Sequence, residues 1–203
     1  FLLFIHTGTG AIEKVIRTAA NPSDMTISYD EGRLYVADGT ADVRVVDLEA
    51  REELPPLHLG GNAAKVNALR AGRLIWENSG GWIDMHLADT ATGQDLSSVG
   101  NYNGDGEADP TGSFYFHAQD GICCPSKIFK YGVSADALEV VGEAEGGGPI
   151  LMALDGSLFV AWSRIYDLQL NPLGTIPEET YAVSPKGDLA FGRSSAYNVH
   201  TLA

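Results

Sequence analysis

Cysteine is nearly absent: the 203 residues hold two, and these are adjacent, Cys123-Cys124. Neighbours in sequence cannot tie distant segments together, so no disulfide framework carries the fold. Cations are also scarce. Lys plus Arg number 13 against 27 for Asp plus Glu, a formal net charge of −14. That balance opposes binding to phosphate backbones and anionic membranes, which depends on clustered positive charge. No apolar run approaches the roughly 18–20 residues of a membrane-spanning helix, and no window shows helical periodicity. Missing as well are a Gly-x-Ser-x-Gly elbow, a phosphate-binding loop, a His-Glu-x-x-His motif and an N-glycosylation sequon. The opening Phe1-Leu2-Leu3-Phe4-Ile5-His6 lacks a basic flank and its apolar stretch is short, so it does not read as a signal peptide. Without an initiator Met the chain reads as a trimmed product or as part of a longer polypeptide. Acidity, abundant Gly and few Lys point to a secreted or periplasmic protein. With 44% hydrophobic and 20% charged residues, what remains is an acidic globular chain, long enough for one large domain or two small ones.

What is present is a repeat. Gly-x-Leu/Phe opens a short apolar run five times: Gly32-Arg33-Leu34, Gly72-Arg73-Leu74, Gly112-Ser113-Phe114, Gly156-Ser157-Leu158 and Gly187-Asp188-Leu189. Each glycine follows a turn-like segment, and each turn follows a short apolar strand such as Met25-Thr26-Ile27. Strand, tight turn and strand make a hairpin. A third strand with period-two alternation comes next, Val43 and Val45 before Asp47, then Met85 and Leu87 before Asp89. A weaker fourth strand closes each unit, as in Glu53 to Leu59 and Leu138 to Val141. Four antiparallel strands per roughly 40 residues is a propeller-blade pattern, not a helical-repeat one.

The segment Gly32 to Gly61, GRLYVADGTADVRVVDLEAREELPPLHLGG, resembles a blade of the YVTN-type β-propellers, relatives of the NHL and lactonase-like propellers. The eponymous tetrapeptide is replaced by Leu34-Tyr35-Val36-Ala37, and no Trp-Asp dipeptide closes a blade. The resemblance implies an all-β fold, a β-propeller of four-stranded antiparallel blades in one domain over residues 1–203. Blade units fall at about 19–60, 61–100, 101–145 and 146–177, with a composite fifth blade from 178–203 plus 1–18. A fragment of a six- or seven-bladed ring is the rival reading.

Propeller function sits on loops that the blades hold rigidly. The repeats place Asp38, Asn78, Trp162 and Arg193 at the ends of second strands, with Glu77 and His117 one step before such ends. Inter-blade loops add Asp24, Glu145, Glu178 and Glu179, and Trp82 lies nearby. The expected ligand-binding residues are Asp38, Glu77, Asn78, Trp82, His117, Trp162 and Arg193. Aromatic faces beside carboxylates and amides suit sugars or cations; the alternative is that the tryptophans pack between blades. The stretch Asn101-Tyr102-Asn103-Gly104-Asp105-Gly106-Glu107-Ala108-Asp109 resembles calcium loops of the EF-hand and integrin-propeller kind. By that resemblance Asn101, Asn103, Asp105 and Asp109 donate side-chain oxygens and Glu107 its carbonyl; an inter-blade turn is the alternative. Cys123 and Cys124 form either a strained vicinal disulfide or a reduced pair.

Two functions follow. The first is a noncatalytic scaffold offering an acidic loop face to a protein or carbohydrate ligand. The second is a calcium-dependent, lactonase-like hydrolase or lyase working in a central channel. No nucleic acid and no membrane insertion are expected.

Overall fold

Alternating strand and turn chemistry dictates what forms. A computed structural model describes residues 1–17, 21–80, 82–120 and 126–201. It contains strands, turns and one short 3₁₀ segment at Val199–Thr201, with no α-helix among the described residues. The chain falls into two compact units, Phe1–Gly100 and Asn101–Ala203.

The first unit opens on a two-stranded hairpin, β1 (Leu2–Ile5) and β2 (Ile12–Ile16). A four-stranded sheet follows in the order of its sequence: β3 (Asp24–Ile27), β4 (Arg33–Ala37), β5 (Asp42–Asp47) and β6 (Glu52–His58). The next sheet repeats that order with β7 (Lys65–Leu69), β8 (Arg73–Glu77), β9 (Trp82–Asp89) and β10 (Asp95–Tyr102). In the second unit the pattern recurs as β11 (Gly104–Ala108), β12 (Phe114–Gln119), β13 (Lys127–Val133) and β14 (Leu138–Glu145). It recurs again as β15 (Ile150–Met152), β16 (Phe159–Ala161), β17 (Arg164–Tyr166) and β18 (Pro172–Thr175). A three-stranded sheet of β19 (Thr180–Val183), β20 (Leu189–Gly192) and β21 (Ala196–Asn198) ends the unit.

Second strands β4, β8, β12 and β16 are buried on both faces, whereas β20 leaves Phe191 39% exposed. Tyr35 and Ala37 of β4 join Val66, Leu74 and Trp76 of the following sheet in one core cluster. The alternate residues Leu34 and Val36 pack with Ile16, Leu2 and Phe4 of the opening hairpin. A strand covered from both sides has no polar face to present, so it reads as an unbroken apolar run. Each fully buried aliphatic side chain there contributes about 1.5–3 kcal/mol. Fourth strands instead form exposed edges. β6 carries Pro55 and Pro56, which blunt an edge because they offer no N–H to another chain. A register irregularity recurs between third and fourth strands, at Val43/Val45, Lys130/Tyr131 and Ile165/Tyr166. It adds local twist to these three sheets.

The turns explain the repeated glycines. Gly72, Gly112, Gly156 and Gly187 all adopt left-handed φ angles between 63° and 68°. In the β3–β4 hairpin the left-handed residue is Glu31 (φ 57°), one position earlier.

First strands of consecutive sheets are joined by side chains. Asp24 Oδ2 accepts the Val66 N–H at 2.9 Å, and Thr26 Oγ1 accepts the Ala68 N–H at 3.1 Å. In the second unit Asp105 Oδ2 accepts the Ile150 N–H at 3.0 Å. Each bond spans 42 to 45 residues, about one repeat, and satisfies a donor on the next sheet's first strand.

Candidate functional site

In the first unit the second-strand ends are held by hydrogen bonds of their own turns. Asp38 closes its own turn by accepting the Thr40 N–H at 3.1 Å, while Gly39 N–H donates to Ala63 O at 2.9 Å. The Asn78 amide oxygen accepts the Asp84 N–H at 3.0 Å, capping the start of β9. Glu77 is 1% exposed, where the repeat alignment expects an open strand end. It ends β8, the inner second strand of its sheet, whose Trp76 and Leu74 pack with the preceding sheet. Trp82 is 58% exposed, and its ring lies over Gly100 on the fourth-strand side. An added Cβ at Gly100 would come within 2.8 Å of that ring.

The unit holds one polar network unforeseen in the sequence. Trp76 stacks on His86 with ring centroids 3.9 Å apart and planes 8° from parallel. Asp95 accepts the Trp76 indole N–H at 2.8 Å and faces His86 Nδ1 at 3.1 Å. This carboxylate ties β8, β9 and β10 together.

In the second unit the five residues of the calcium-like stretch each take a separate structural role. Asn101 is buried; its amide donates to the Tyr131 hydroxyl at 2.8 Å and accepts from Gln119 at 2.7 Å. Asn103 donates to Asp120 at 2.6 Å. Asp105 holds Ile150, as described above. Glu107 pairs with Phe116 across the ladder of β11 and β12. Asp109 accepts the N–H groups of Thr111, Ser113 and Phe114 at 3.1, 2.8 and 2.7 Å. The stretch is mostly strand, and a strand turns successive side chains to opposite faces instead of converging them. Among the described residues no group of three or more His, Cys, Asp and Glu is arranged to hold a metal ion. Gly106 has another purpose: a Cβ there would meet the Tyr115 hydroxyl at 2.0 Å.

His117 is fully buried in β12, and its Nε2 lies 3.0 Å from the Tyr102 carbonyl oxygen, the geometry of an N–H donor. It is a buried histidine held by that carbonyl. Cys123 and Cys124 lie outside the described residues.

Arg193 is exposed after β20, near a cluster built on Glu178. Tyr197 donates to Glu178 at 2.8 Å, and that bond raises the Tyr197 pKa above its ordinary value. Tyr181 donates to Glu179 at 3.0 Å; this bond likewise raises Tyr181, with Arg193 opposing the effect.

One expected residue does line a concave site. Trp162 follows β16 and stands beside a cleft of about 520 Å³ with Asp120, Ser126, Glu145, Ser163 and Arg164. Its backbone is left-handed (φ 57°), a conformation that costs a bulky residue about 1–2 kcal/mol. The surroundings hold it there. Trp162 N–H donates to Pro149 O at 3.0 Å, and Trp162 O accepts the Thr180 N–H at 2.9 Å. Gly148 (φ 86°) lets the indole approach; a Cβ would lie 2.6 Å from the ring. Even so, the side chain remains 52% exposed. Strained residues over-determined by their neighbours concentrate at functional sites. Asp120, Arg164 and the serines carry no repeat signal, so sequence reasoning misses them. The run Gly146-Gly147-Gly148 is the visible clue, because glycine clusters mark close approach of backbone to another group.

No family model matches the sequence, and no curated protein matches it. Solved structures do. The chain is similar to KlHsv2 with loop 6CD replaced by a Gly-Ser linker, with TM-score 0.63 and 12% identity over 90% of this chain. It spans 64% of that chain's length. It is also similar to hydrazine synthase of Kuenenia stuttgartiensis, with TM-score 0.59 and 10% identity over 99% of this chain and 90% of that one. Identities this low carry the fold alone. With the repeated antiparallel sheets, they establish an all-β protein of the β-propeller class.

Proposed function

We propose that this β-propeller scaffold is a noncatalytic binding module whose acidic loop face takes a protein or glycan ligand. The observation that carries the reading is the half-exposed, conformationally held indole of Trp162 in its cleft. A large aromatic left in water beside polar groups suits recognition, since such residues anchor interfaces at little entropic cost. The net charge of −14 supports partners that are neutral or basic over anionic ones. The Gly-x-Leu/Phe repeat supports a place among YVTN-type propellers, and the acidic, lysine-poor composition supports a secreted or periplasmic location.

The test is to pass the fluorescently labelled chain over arrays of oligosaccharides and peptides. Capture should fall at least about ten-fold, or about 1.4 kcal/mol, in Trp162→Ala. Glu52→Ala, on the exposed edge strand β6 of the other unit, should leave it unchanged. Absence of capture, or capture indifferent to Trp162, overturns the proposal.

A further inference from the structure

We infer that the Trp162 cleft takes a neutral pyranose ring, an assignment that rests on the binding reading above. The lining combines one aromatic platform with charges of both signs: carboxylates at Asp120 and Glu145, a guanidinium at Arg164, and hydroxyls at Ser126 and Ser163. A cation attracted by the carboxylates meets Arg164. An anion attracted by Arg164 meets two carboxylates. A neutral polyol escapes both penalties, and it needs what the lining offers. Its hydroxyls donate to carboxylates and accept from the guanidinium, which are the stronger kinds of hydrogen bond. The C–H face of a pyranose is apolar and flat enough to lie on an indole, whose negative π face attracts the C–H groups.

Size and rigidity agree. The cleft of about 520 Å³ lies within the range of small-molecule sites. The platform is set before any ligand arrives, because Pro149 and Thr180 pin both sides of the Trp162 backbone. A preformed platform spares the ordering cost that would otherwise weaken binding. The carboxylate of Asp120 is positioned too, by the amide of Asn103 at 2.6 Å.

The experiment is tryptophan fluorescence of the full chain in a Trp82→Phe background, which removes the other exposed indole. The probes are three trisaccharides of different charge: cellotriose (neutral), the glucosamine trimer (cationic) and the galacturonic acid trimer (anionic). Free lysine, a zwitterion with an added cation, serves as the fourth. Cellotriose should change the emission saturably and about equally at low and high salt. By titration calorimetry, which needs no reporting indole, Trp162→Ala should weaken cellotriose binding at least about ten-fold, and Trp162→Phe should retain part. Circular dichroism and melting confirm folding. Trp162→Gly gives a second truncation that suits the left-handed backbone. Preference for a charged probe, removed by salt, overturns the sugar assignment. So does failure of every saccharide while an arrayed peptide is still captured through Trp162, an outcome that leaves the binding reading intact. Loss of all Trp162-dependent capture would remove both.

Discussion

At the scale of single residues, aspartates carry much of the architecture. Asp24 and Asp105 occupy first strands and neutralise backbone donors of the next sheet. From sequence alone they resemble an acidic rim or a metal set, because a carboxylate that ties sheets and one that ligates an ion look identical in one dimension. Replacing Asp24 by Ala should destabilise the protein by about 1.5–3 kcal/mol, the usual worth of a hydrogen bond to a charged group. Asp24→Asn should recover part, since its oxygen still accepts; urea titration checks both. Other aspartates hold turns. Asp89 accepts the Ala91 and Thr92 N–H groups, and the Ala91 bond is the chief cause that lowers its pKa below the ordinary 3.8. Asp30 is lowered chiefly by the Ser28 hydroxyl, and Asp188 chiefly by that of Ser184. A folded-state pKa below the unfolded value stabilises the protein at pH above about 3.8 and is lost as pH falls through the folded value. Stability should therefore drop on acidification below about pH 4. Asp89→Asn should lower stability at neutral pH and make that acid loss shallower, read from midpoints between pH 2 and 5 (approximate limits set by the ordinary carboxylate range).

At the scale of elements, burial on both faces marks the second strands β4, β8, β12 and β16. Leu74 of β8 is fully buried, whereas Ile27 of β3 is 54% exposed. Leu74→Ala should cost about 2–5 kcal/mol through lost contacts and a residual cavity. Ile27→Ala should stay within about 0.5 kcal/mol, like other surface changes. Chemical denaturation of the two variants side by side decides it, and equal effects would refute the two-faced packing. The strands themselves are plain in the sequence: glycine-marked turns and β-rich runs such as Leu34-Tyr35-Val36-Ala37 set hairpin pairing locally. Exposure at strand ends is not plain. Glu77 and His117 align with surface positions in the repeat, yet neighbouring strands cover them. Trp162 stays open because the left-handed turn after β16 aims it away from the sheet core.

At the scale of the whole molecule, the net charge of −14 sets a field that no single contact removes. Self-repulsion opposes compactness and is screened over about 8–10 Å at physiological ionic strength. The melting temperature should rise as salt is raised from about 10 mM to 150 mM, where the screening length contracts from about 30 to about 8 Å. A fall over that range, seen by differential scanning calorimetry, would show that specific ion pairs such as Arg73–Asp89 outweigh the repulsion.

The amino-acid order by itself determined the all-β class and the recurrence of hairpins. Those features arise from neighbours in the chain: turn glycines, β-branched and aromatic runs, and the two-residue period of a strand. Tertiary structure alone decided which polar residues are spent and which are available. Asn101 and Asp105 find partners 30 and 45 residues away, so their commitments have no local signature. The Trp162 cleft likewise assembles Asp120, Glu145 and Arg164 from separate strand ends. Such a site follows from how sheets pack, because proximity across a fold depends on long-range contacts that no short stretch of sequence encodes.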